Sequence, residues 1–230
     1  MKPEIIVYPD RETQSTALAE RVADDLNAAL AGRGRAALAV PGGTTPGPFL
    51  RALSAHELAW DRVAVLLTDE RFVPETSERS NTRLLRETLL RGRAAAARLV
   101  PLSAPGERPE DVLGGLSAGV RAVLPLDCCV LGMGADMHTA SLFPGADRLA
   151  EALDPGCREV LLPMRAAGAP EPRLTLTAPV LRAARRLHLL IAGQEKIRAL
   201  ERAMAGDDPT EAPVRAVMDA PARLIVHYAD

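Results

Sequence analysis

The chain has 230 residues, of which 47% are hydrophobic and 25% are charged, and its formal net charge at pH 7 is −2. This composition is ordinary for a soluble globular protein, and the length suffices to bury a full core. A charge so close to zero gives no electrostatic basis for binding nucleic acid or an anionic membrane.

The first residues, MKPEIIVYPDRET, lack the charged and then apolar layout of a signal peptide. No apolar run approaches the roughly 20 residues needed to cross a bilayer. The three cysteines, of which Cys128 and Cys129 are adjacent, have neither the number of a disulfide framework nor the spacing of a zinc site. We therefore expect buried free thiols at the adjacent pair and a cytoplasmic location.

Short apolar runs alternate with helical patterns along the chain. Predicted strands cover residues 4–9, 36–40, 62–69, 97–102, 126–134, 159–164, 186–193 and 223–228. Predicted helices cover 13–30, 82–90, 110–123 and 193–206, the last ending at Gly206 as its C′ residue. The alternation predicts an α/β fold, a doubly wound, mostly parallel Rossmann-like sheet with helices on both faces. No convincing linker interrupts it, so we expect residues 1–230 to form a single domain.

Ligands of such sheets bind beyond the carboxyl ends of strands, and four loops there are candidates. The first is VPGGTTPGPFL, residues 40–50, where glycines and threonines separate a buried strand from a helix. Successive backbone N–H groups and the helix N-terminus form an anion site, to which Thr44 and Thr45 add hydroxyl donors. No Gly-Lys-Ser/Thr follows, so a nucleotide P-loop is not indicated. An ordinary strand-to-helix turn is an equally good interpretation of this loop alone.

The second candidate loop is LLTDERFVP, residues 66–74, which delivers Asp69, Glu70 and Arg71 together at the end of an apolar strand. Charged groups at such a position are costly unless they are paired or used. An arginine there can polarise a carbonyl group or hold an anion. A salt-bridge cluster that caps the strand is the alternative.

The third candidate loop is LGMGADMHTASLFPG, residues 131–145, which places Asp136 and His138 after the central apolar strand. Histidine side chains titrate near neutral pH, so one exposed here suits proton transfer, with Asp136 fixing its tautomer. A metal needs a third convergent ligand, which is not local. A nucleophilic Ser141 lacks the G-x-S-x-G context. A structural histidine is the alternative.

The fourth candidate is the pair PRLTLT, residues 172–177, and GQEK, residues 193–196. Arg173 is predicted at the start of a helix, and Lys196 in the first turn of the helix from 193. Cations at these positions oppose the helix dipole unless an anion is bound, and a phosphate shared with the loop at 42–45 would supply one. Solvated surface charges are the alternative.

Taken together, the segments PGGTTP, TDERFVP with the later Ser80–Asn81, LGMGADMHTASLFPG, PRLTLT and GQEK resemble, in order, the motifs of the 6-phosphogluconolactonase family. That family lies within a wider group that includes glucosamine-6-phosphate deaminase. The resemblance implies hydrolysis of the small-molecule phosphosugar lactone 6-phospho-D-glucono-1,5-lactone to 6-phosphogluconate, in the oxidative pentose phosphate pathway. It implies no metal or organic cofactor. We expect no nucleic-acid or membrane partner, and a monomer or weak homodimer.

By matched position, the resemblance implies that His138 is the base that activates water and that Arg71 stabilises charge on the carbonyl oxygen. Asp69 and Asp136 are expected in the same catalytic site. The residues that would hold the 6-phosphate are Gly42, Gly43, Thr44, Thr45, Arg173 and Lys196.

Two positions depart from the family's pattern. Met137 stands where the family usually has glycine between aspartate and histidine, and methionine is poorly suited to positive φ. Either the loop takes another path or Met137 accepts strain. Pro41 replaces a serine, which removes one hydroxyl contact and leaves the glycine N–H groups.

Two other functions stay open. The deaminase branch usually has Asp-Glu-Tyr at the second loop and a glutamate five residues after the histidine, and this chain has Arg71 and Phe143 at those positions. A non-catalytic sugar-phosphate sensor would usually carry a DNA-binding segment, and no basic helix-turn-helix extension is evident in the sequence.

Overall fold

The computed structural model describes residues 3–230 of the chain. Its strands are β1 (Glu4–Val7), β2 (Ala36–Val40), β3 (Val63–Leu67), β4 (Asp69–Arg71), β5 (Arg98–Leu99), β6 (Cys128–Leu131), β7 (Leu161–Met164), β8 (Arg173–Leu176), β9 (Leu187–Ala192) and β10 (Leu224–Ala229). Its α-helices are α1 (Arg11–Arg33), α2 (Gly47–Ser54), α3 (Asn81–Thr88), α4 (Pro109–Arg121), α5 (Leu149–Leu153), α6 (Ala178–Arg182), α7 (Gln194–Ala205) and α8 (Arg215–Met218). Two short 3₁₀ helices cover Trp60–Arg62 and Gly92–Ala96.

The main sheet has seven parallel strands in the order β1-β10-β9-β6-β2-β3-β5. From β2 the chain steps outwards to β3 and β5, returns to β6 on the other side of β2, and steps outwards again to β9 and β10. The predicted α/β, doubly wound and mostly parallel fold is confirmed. The direction of winding reverses between β2 and β6, and doubly wound sheets bind ligands beyond the carboxyl ends of strands at such a point.

A second, antiparallel sheet of three strands, in the order β4-β8-β7, was not predicted. Each predicted strand overlaps an observed one, but the run at 159–164 supplies β7 of this second sheet. The prediction that Arg173 begins a helix is wrong, because Arg173 begins β8 and pairs with Arg71 of β4. The segment RLTLT alternates leucine and threonine with period two, which favours a strand.

The core is one continuous cluster of buried apolar side chains, to which α1 contributes Leu18, Val22 and Leu26.

Helix α7 ends at Ala205, and Gly206 follows with φ −85°, so it does not take the left-handed conformation expected of a C′ glycine. Cys128 and Cys129 are buried free thiols, as predicted, and burial raises the pKa of Cys129 to about 12. Within residues 3–230, the helices all fall short of the length and apolarity that crossing a membrane requires.

A buried chain of hydrogen bonds links the sheet to α1. The Tyr8 hydroxyl lies 2.8 Å from Nδ1 of His227, Nε2 of His227 lies 3.1 Å from Nδ1 of His188, and Nε2 of His188 lies 2.9 Å from Oδ2 of Asp25. A neutral imidazole has one donor and one acceptor nitrogen, so donation from Tyr8 towards Asp25 satisfies every bond. Both histidines therefore fit the interior in their neutral form.

Acid is expected to destabilise the fold through His227. Burial, together with the neighbouring His188, lowers the pKa of His227 from 6.5 to about 3. The unfolded chain takes up a proton near pH 6.5 and the folded chain only near pH 3, so the free energy of unfolding falls as the pH falls through that window. The slope is roughly 1.4 kcal/mol per pH unit. Urea unfolding at several pH values measures it, and His227→Gln should flatten it; an unchanged slope in this variant would exclude His227 as its source.

Candidate active site

A cleft of about 240 Å³ lies at the carboxyl ends of β2, β6 and β9, at the point where the sheet reverses its winding. Every predicted site residue except Asp136 lines it: Gly42, Gly43, Thr44, Thr45, Asp69, Arg71, His138, Arg173 and Lys196. The structure adds lining residues that the sequence analysis did not assign a role, chiefly Asn81, Ala140 and Ile191. In the sequence, the only signal for Asn81 was its place in the pair Ser80–Asn81 at the start of a helix.

A tight turn after β6 presents His138 to the cleft. The backbone N–H of Gly134 donates to the His138 carbonyl at 3.0 Å, and the N–H of Met137 donates to the Gly134 carbonyl at 3.0 Å. A Cβ atom on Gly134 would lie 2.2 Å from both Nδ1 of His138 and Oδ1 of Asp136. Glycine is therefore required at 134 because the imidazole and carboxylate pack directly over it.

Asp136 orients His138 from outside the cleft. Its Oδ1 lies 2.6 Å from Nδ1 of His138, and the hydrogen bond from His138 lowers the pKa of Asp136. The other ring nitrogen, Nε2, makes no hydrogen bond to any residue of 3–230, while the side chain is 28% exposed. The pair therefore leaves Nε2 free to exchange a proton with a bound molecule.

Phe143 packs between His138 and Arg173. Its ring centroid lies 4.3 Å from that of His138 at an interplanar angle of 44°, and 5.1 Å from Cζ of Arg173. An aromatic face attracts a guanidinium in this geometry. Phe143 thus holds the imidazole and the guanidinium on neighbouring sides of the cleft.

The β4–β8 pair places three charged side chains at the cleft. Arg71 and Arg173 are direct cross-strand partners, and Asp69 Oδ2 lies 3.7 Å from Nη1 of Arg173. Asp69 also accepts a hydrogen bond from the buried Ser141 hydroxyl at 2.5 Å, which gives Ser141 a structural role. Burial lowers the pKa of Arg173, and the charge of Asp69 opposes that shift.

Both arginines have a side-chain donor without a partner among the described residues. Arg71 donates from Nη1 to the Arg79 carbonyl at 2.8 Å, yet its Nε is buried without a partner among the described residues, as is Nε of Arg173. Like charges opposite each other on a sheet are unfavourable, and a buried unsatisfied donor adds to that cost. An oxygen anion bound between them would relieve both.

Glu70 turns away from the cleft and caps α3. Its carboxylate accepts hydrogen bonds from the backbone N–H groups of Arg71 (2.7 Å), Asn81 (2.8 Å) and Thr82 (2.6 Å), and from the Ser80 hydroxyl (3.2 Å). The three charged residues of the second loop therefore separate. Asp69 and Arg71 face the cleft, and Glu70 fastens β4 to the start of α3.

Replacing Glu70 with glutamine should lower stability more than catalysis. A glutamine is neutral and keeps only one acceptor oxygen, so all these donors lose a charged partner and at least one backbone N–H loses its acceptor. We expect a loss of about 1–3 kcal/mol in the free energy of unfolding. Urea denaturation measures this, with the exposed Glu78→Gln as the matched control. Equal unfolding free energies in the two variants would contradict the capping role.

The loop after β2 brings backbone close to α3. A Cβ on Gly42 would lie 2.0–2.2 Å from the side-chain atoms of Asn81, and Gly43 has φ +90°. Nδ2 of Asn81 donates to the Asp69 carbonyl at 3.1 Å, which ties the start of α3 to β4. Across the cleft, Lys196 lies in the first turn of α7, after Gly193 with φ +87°. The predicted position of Lys196 is confirmed, and the cation stands at a helix N-terminus without an ion-pair partner among the described residues.

Met137 accepts the strained backbone. It has φ +65°, so the loop keeps the path that glycine would take. The N–H of Val214 donates to the Met137 carbonyl at 3.0 Å, and the half-buried side chain packs against the core. These two attachments hold a conformation that costs most non-glycine residues about 1–2 kcal/mol.

Substitutions at 137 should separate strain from packing. We expect Met137→Val to lower the free energy of unfolding by at least about 1 kcal/mol, because a β-branched residue is least tolerant of positive φ. Met137→Gly should stay within about 1 kcal/mol of the parent, since relief of strain is offset by lost contacts and greater chain entropy. Chemical denaturation of both compares them, and a valine variant as stable as the parent would show that the backbone is unstrained.

Within the described part of the chain, one group brings three possible metal ligands together, and it lies outside the cleft. Ligand atoms of Asp25, Cys128 and His188 lie within 4.8 Å of one another. His188 already binds Asp25 through Nε2, and burial raises the pKa of the Cys128 thiol well above its usual range. Metal binding requires a thiolate, so this donor set fits the hydrogen-bonded interior described above better than a metal.

Comparisons with known proteins agree with the fold and the cleft. The model of a family described as glucosamine-6-phosphate isomerases/6-phosphogluconolactonase matches residues 9–226. A 6-phosphogluconolactonase from Mesorhizobium japonicum is 50% identical over 219 residues, which cover 95% of this chain and 91% of that protein. One from Pseudomonas aeruginosa is 44% identical over 223 residues, with coverages of 96% and 93%.

A solved structure shows the same similarity in three dimensions. The crystal structure of a 6-phosphogluconolactonase from Shewanella baltica matches with a TM-score of 0.93 and 29% identity, covering 100% of this chain and 98% of that one. Since the sequence match spans nearly the whole chain and the folds superpose throughout, this chain belongs to the glucosamine-6-phosphate isomerase/6-phosphogluconolactonase family.

Proposed function

We propose that the chain hydrolyses 6-phospho-D-glucono-1,5-lactone to 6-phosphogluconate, as an enzyme of the oxidative pentose phosphate pathway. The observation that carries the proposal is the oriented His138, with a free Nε2, in one cleft with two arginines that have unused donors. Relatives at 44–50% identity carry the name of this enzyme.

His138 is the general base. As water attacks C1 of the lactone, Nε2 takes one of its protons, and Asp136 stabilises the imidazolium through Nδ1 at 2.6 Å. The tetrahedral intermediate then collapses, the bond from C1 to the ring oxygen breaks, and the imidazolium returns the proton to that oxygen. General-base catalysis of this kind contributes about 10²–10⁴-fold. No covalent nucleophile is needed, because a lactone is already an activated ester.

Arg71 stabilises the negative charge that develops on the carbonyl oxygen of the lactone. Its Nε is buried and unpaired within residues 3–230, so it enters the reaction without first breaking an internal bond. Preorganised donors of this kind stabilise a transition state at little reorganisation cost. Asp69 balances the charge of Arg173 and holds it beside Arg71.

The phosphate of the substrate binds at the other end of the cleft. The backbone of Gly42 and Gly43, the hydroxyls of Thr44 and Thr45, and the cations of Arg173 and Lys196 surround that end. Anchoring the phosphate presents C1 to His138 in one orientation, which is how binding at a distance assists the chemical step.

Phe143 favours lactone hydrolysis over deamination as the activity of this chain. It occupies the position at which the deaminase branch usually has a glutamate, and it packs on His138 instead of offering a carboxylate. The direct test follows the loss of freshly generated lactone in the presence of the chain and, separately, ammonia release from glucosamine 6-phosphate. We expect lactone hydrolysis and no ammonia; ammonia release at saturating substrate would favour the deaminase.

We extend the proposal to the oligomeric state, the cellular location and the partners of the enzyme. The protein acts as a monomer or weak homodimer, and the continuous apolar core supports a single domain. Three unpaired cysteines support a cytoplasmic location. The net charge of −2 supports a small-molecule substrate rather than a nucleic-acid partner.

A further inference from the structure

A second cavity, of about 260 Å³, lies at the amino ends of β2, β3 and β5. It is separated from the catalytic cleft by the length of β2, five residues or roughly 17 Å. Its charged lining residues are Arg33, Arg35, Asp61, Arg62, Arg98, Asp127 and Arg185. The cavity thus carries an excess of three positive charges, whereas the whole chain has a net charge of −2.

Asp127 balances the charge of two of these arginines, Arg33 and Arg185. Its buried carboxylate accepts the backbone N–H of Ala37 at 2.9 Å, forms an ion pair with Arg33, and lies 3.5 Å from Nε of Arg185. Among the described residues, the other three arginines have no such partner. Within residues 3–230, the guanidinium groups of Arg35, Arg62 and Arg98 have no carboxylate within 4.0 Å and no hydrogen bond.

Strand register explains why the unpaired arginines border one space. Ala37 pairs with Ala64, and Ala64 pairs with Arg98, so these three side chains point to the same face of the sheet. Arg35 and Arg62 stand two residues before the alanines, immediately before the strands begin. The small alanines leave the space open. Like charges on neighbouring strands are unfavourable, and a bound anion would relieve that repulsion.

We infer that this cavity binds a small phosphorylated molecule that carries at least two phosphate groups. A phosphate ester carries about −1.5 to −2 charge at pH 7, so two of them match an excess of three positive charges. Guanidinium forks bind pairs of phosphate oxygens. The segment from Ala122 to Pro125 offers an apolar wall to the rest of the molecule. This site is distinct from the one that holds the phosphate of the substrate.

Isothermal titration of the full chain with inorganic pyrophosphate at low salt tests the inference. The Lys196→Gln background weakens any binding in the catalytic cleft. In that background we expect one pyrophosphate per chain, with an affinity that Arg35→Gln/Arg62→Gln lowers at least tenfold. The control Arg158→Gln/Arg198→Gln removes two exposed arginines elsewhere and should leave the affinity unchanged.

Two results would overturn the inference: no binding of pyrophosphate, or binding that Arg35→Gln/Arg62→Gln leaves unchanged. Circular dichroism checks the fold of each variant. If the double variant does not fold, Arg98→Gln on the edge strand β5 gives the same readout. We expect it to weaken binding at least threefold, and an unchanged affinity would equally overturn the inference.

Discussion

Replacing His138 with alanine is expected to lower kcat for lactone hydrolysis by about 10²–10⁴-fold, the range that a general base supplies. The imidazole is the one group in the cleft that combines a free ring nitrogen with a carboxylate partner, within residues 3–230. Initial rates with freshly generated lactone, corrected for spontaneous opening, measure the loss. Binding of 6-phosphogluconate should change little, because the phosphate contacts lie elsewhere in the cleft.

The control for this variant is His56→Ala, which removes a histidine that lies outside the cleft. It should retain the kcat of the parent chain. A His138→Ala variant with a near-normal kcat and an intact fold would remove His138 from the role of base.

Replacing Lys196 with alanine should raise KM for the phosphorylated lactone by about 10- to 100-fold, the effect of losing a charged hydrogen bond of roughly 1.5–3 kcal/mol. The effect on kcat should be smaller, since the lysine binds a part of the substrate that does not react. The rate with unphosphorylated gluconolactone should not change. Steady-state kinetics with both lactones separate these expectations.

Arg198→Ala, two residues further along α7 and exposed, is the matched control and should leave both constants unchanged. A loss of kcat at constant KM in the Lys196→Ala variant would mean that the lysine acts on the reacting atoms and does not anchor the phosphate.

The main sheet was predictable because most of its strands are almost continuously apolar. Parallel strands that are buried on both faces are recognisable in a sequence as nearly continuous apolar runs. The observed bounds of β2 are the predicted ones, 36–40. β4 escaped prediction because its three residues are all charged. β8 was missed because Arg173 was assigned to a helix start, although the alternation in RLTLT favours a strand. Its pairing with β4 joins segments that are far apart in the sequence, and local patterns carry no information on such contacts.

The lining of the cleft was predictable for a similar reason, and its internal arrangement was not. Glycine turns after β2 and β6 identified the loops that meet where the sheet reverses its winding. The sequence did not distinguish Glu70, which caps α3, from its neighbours that face the cleft. Nor did it indicate that Phe143 packs between His138 and Arg173, because that contact depends on β8.

The buried histidines show the same limit. His188 and His227 each interrupt an apolar strand, and nothing local says that they meet. Their contact follows from the pairing of β9 with β10, which sets His188 opposite Ile225 and His227 opposite Leu190. The pattern of apolar runs and helical segments therefore predicted the layers of the fold. The polar contacts within those layers could not be predicted without knowing the register of the strands.

The rate of hydrolysis of freshly generated 6-phospho-D-glucono-1,5-lactone by the wild-type chain tests the central claim most directly. We predict a rate that rises in proportion to the concentration of the chain, well above spontaneous opening, with a much lower kcat/KM for unphosphorylated gluconolactone. A folded chain that binds 6-phosphogluconate yet leaves the rate at its spontaneous value would contradict the claim and indicate a sugar-phosphate sensor.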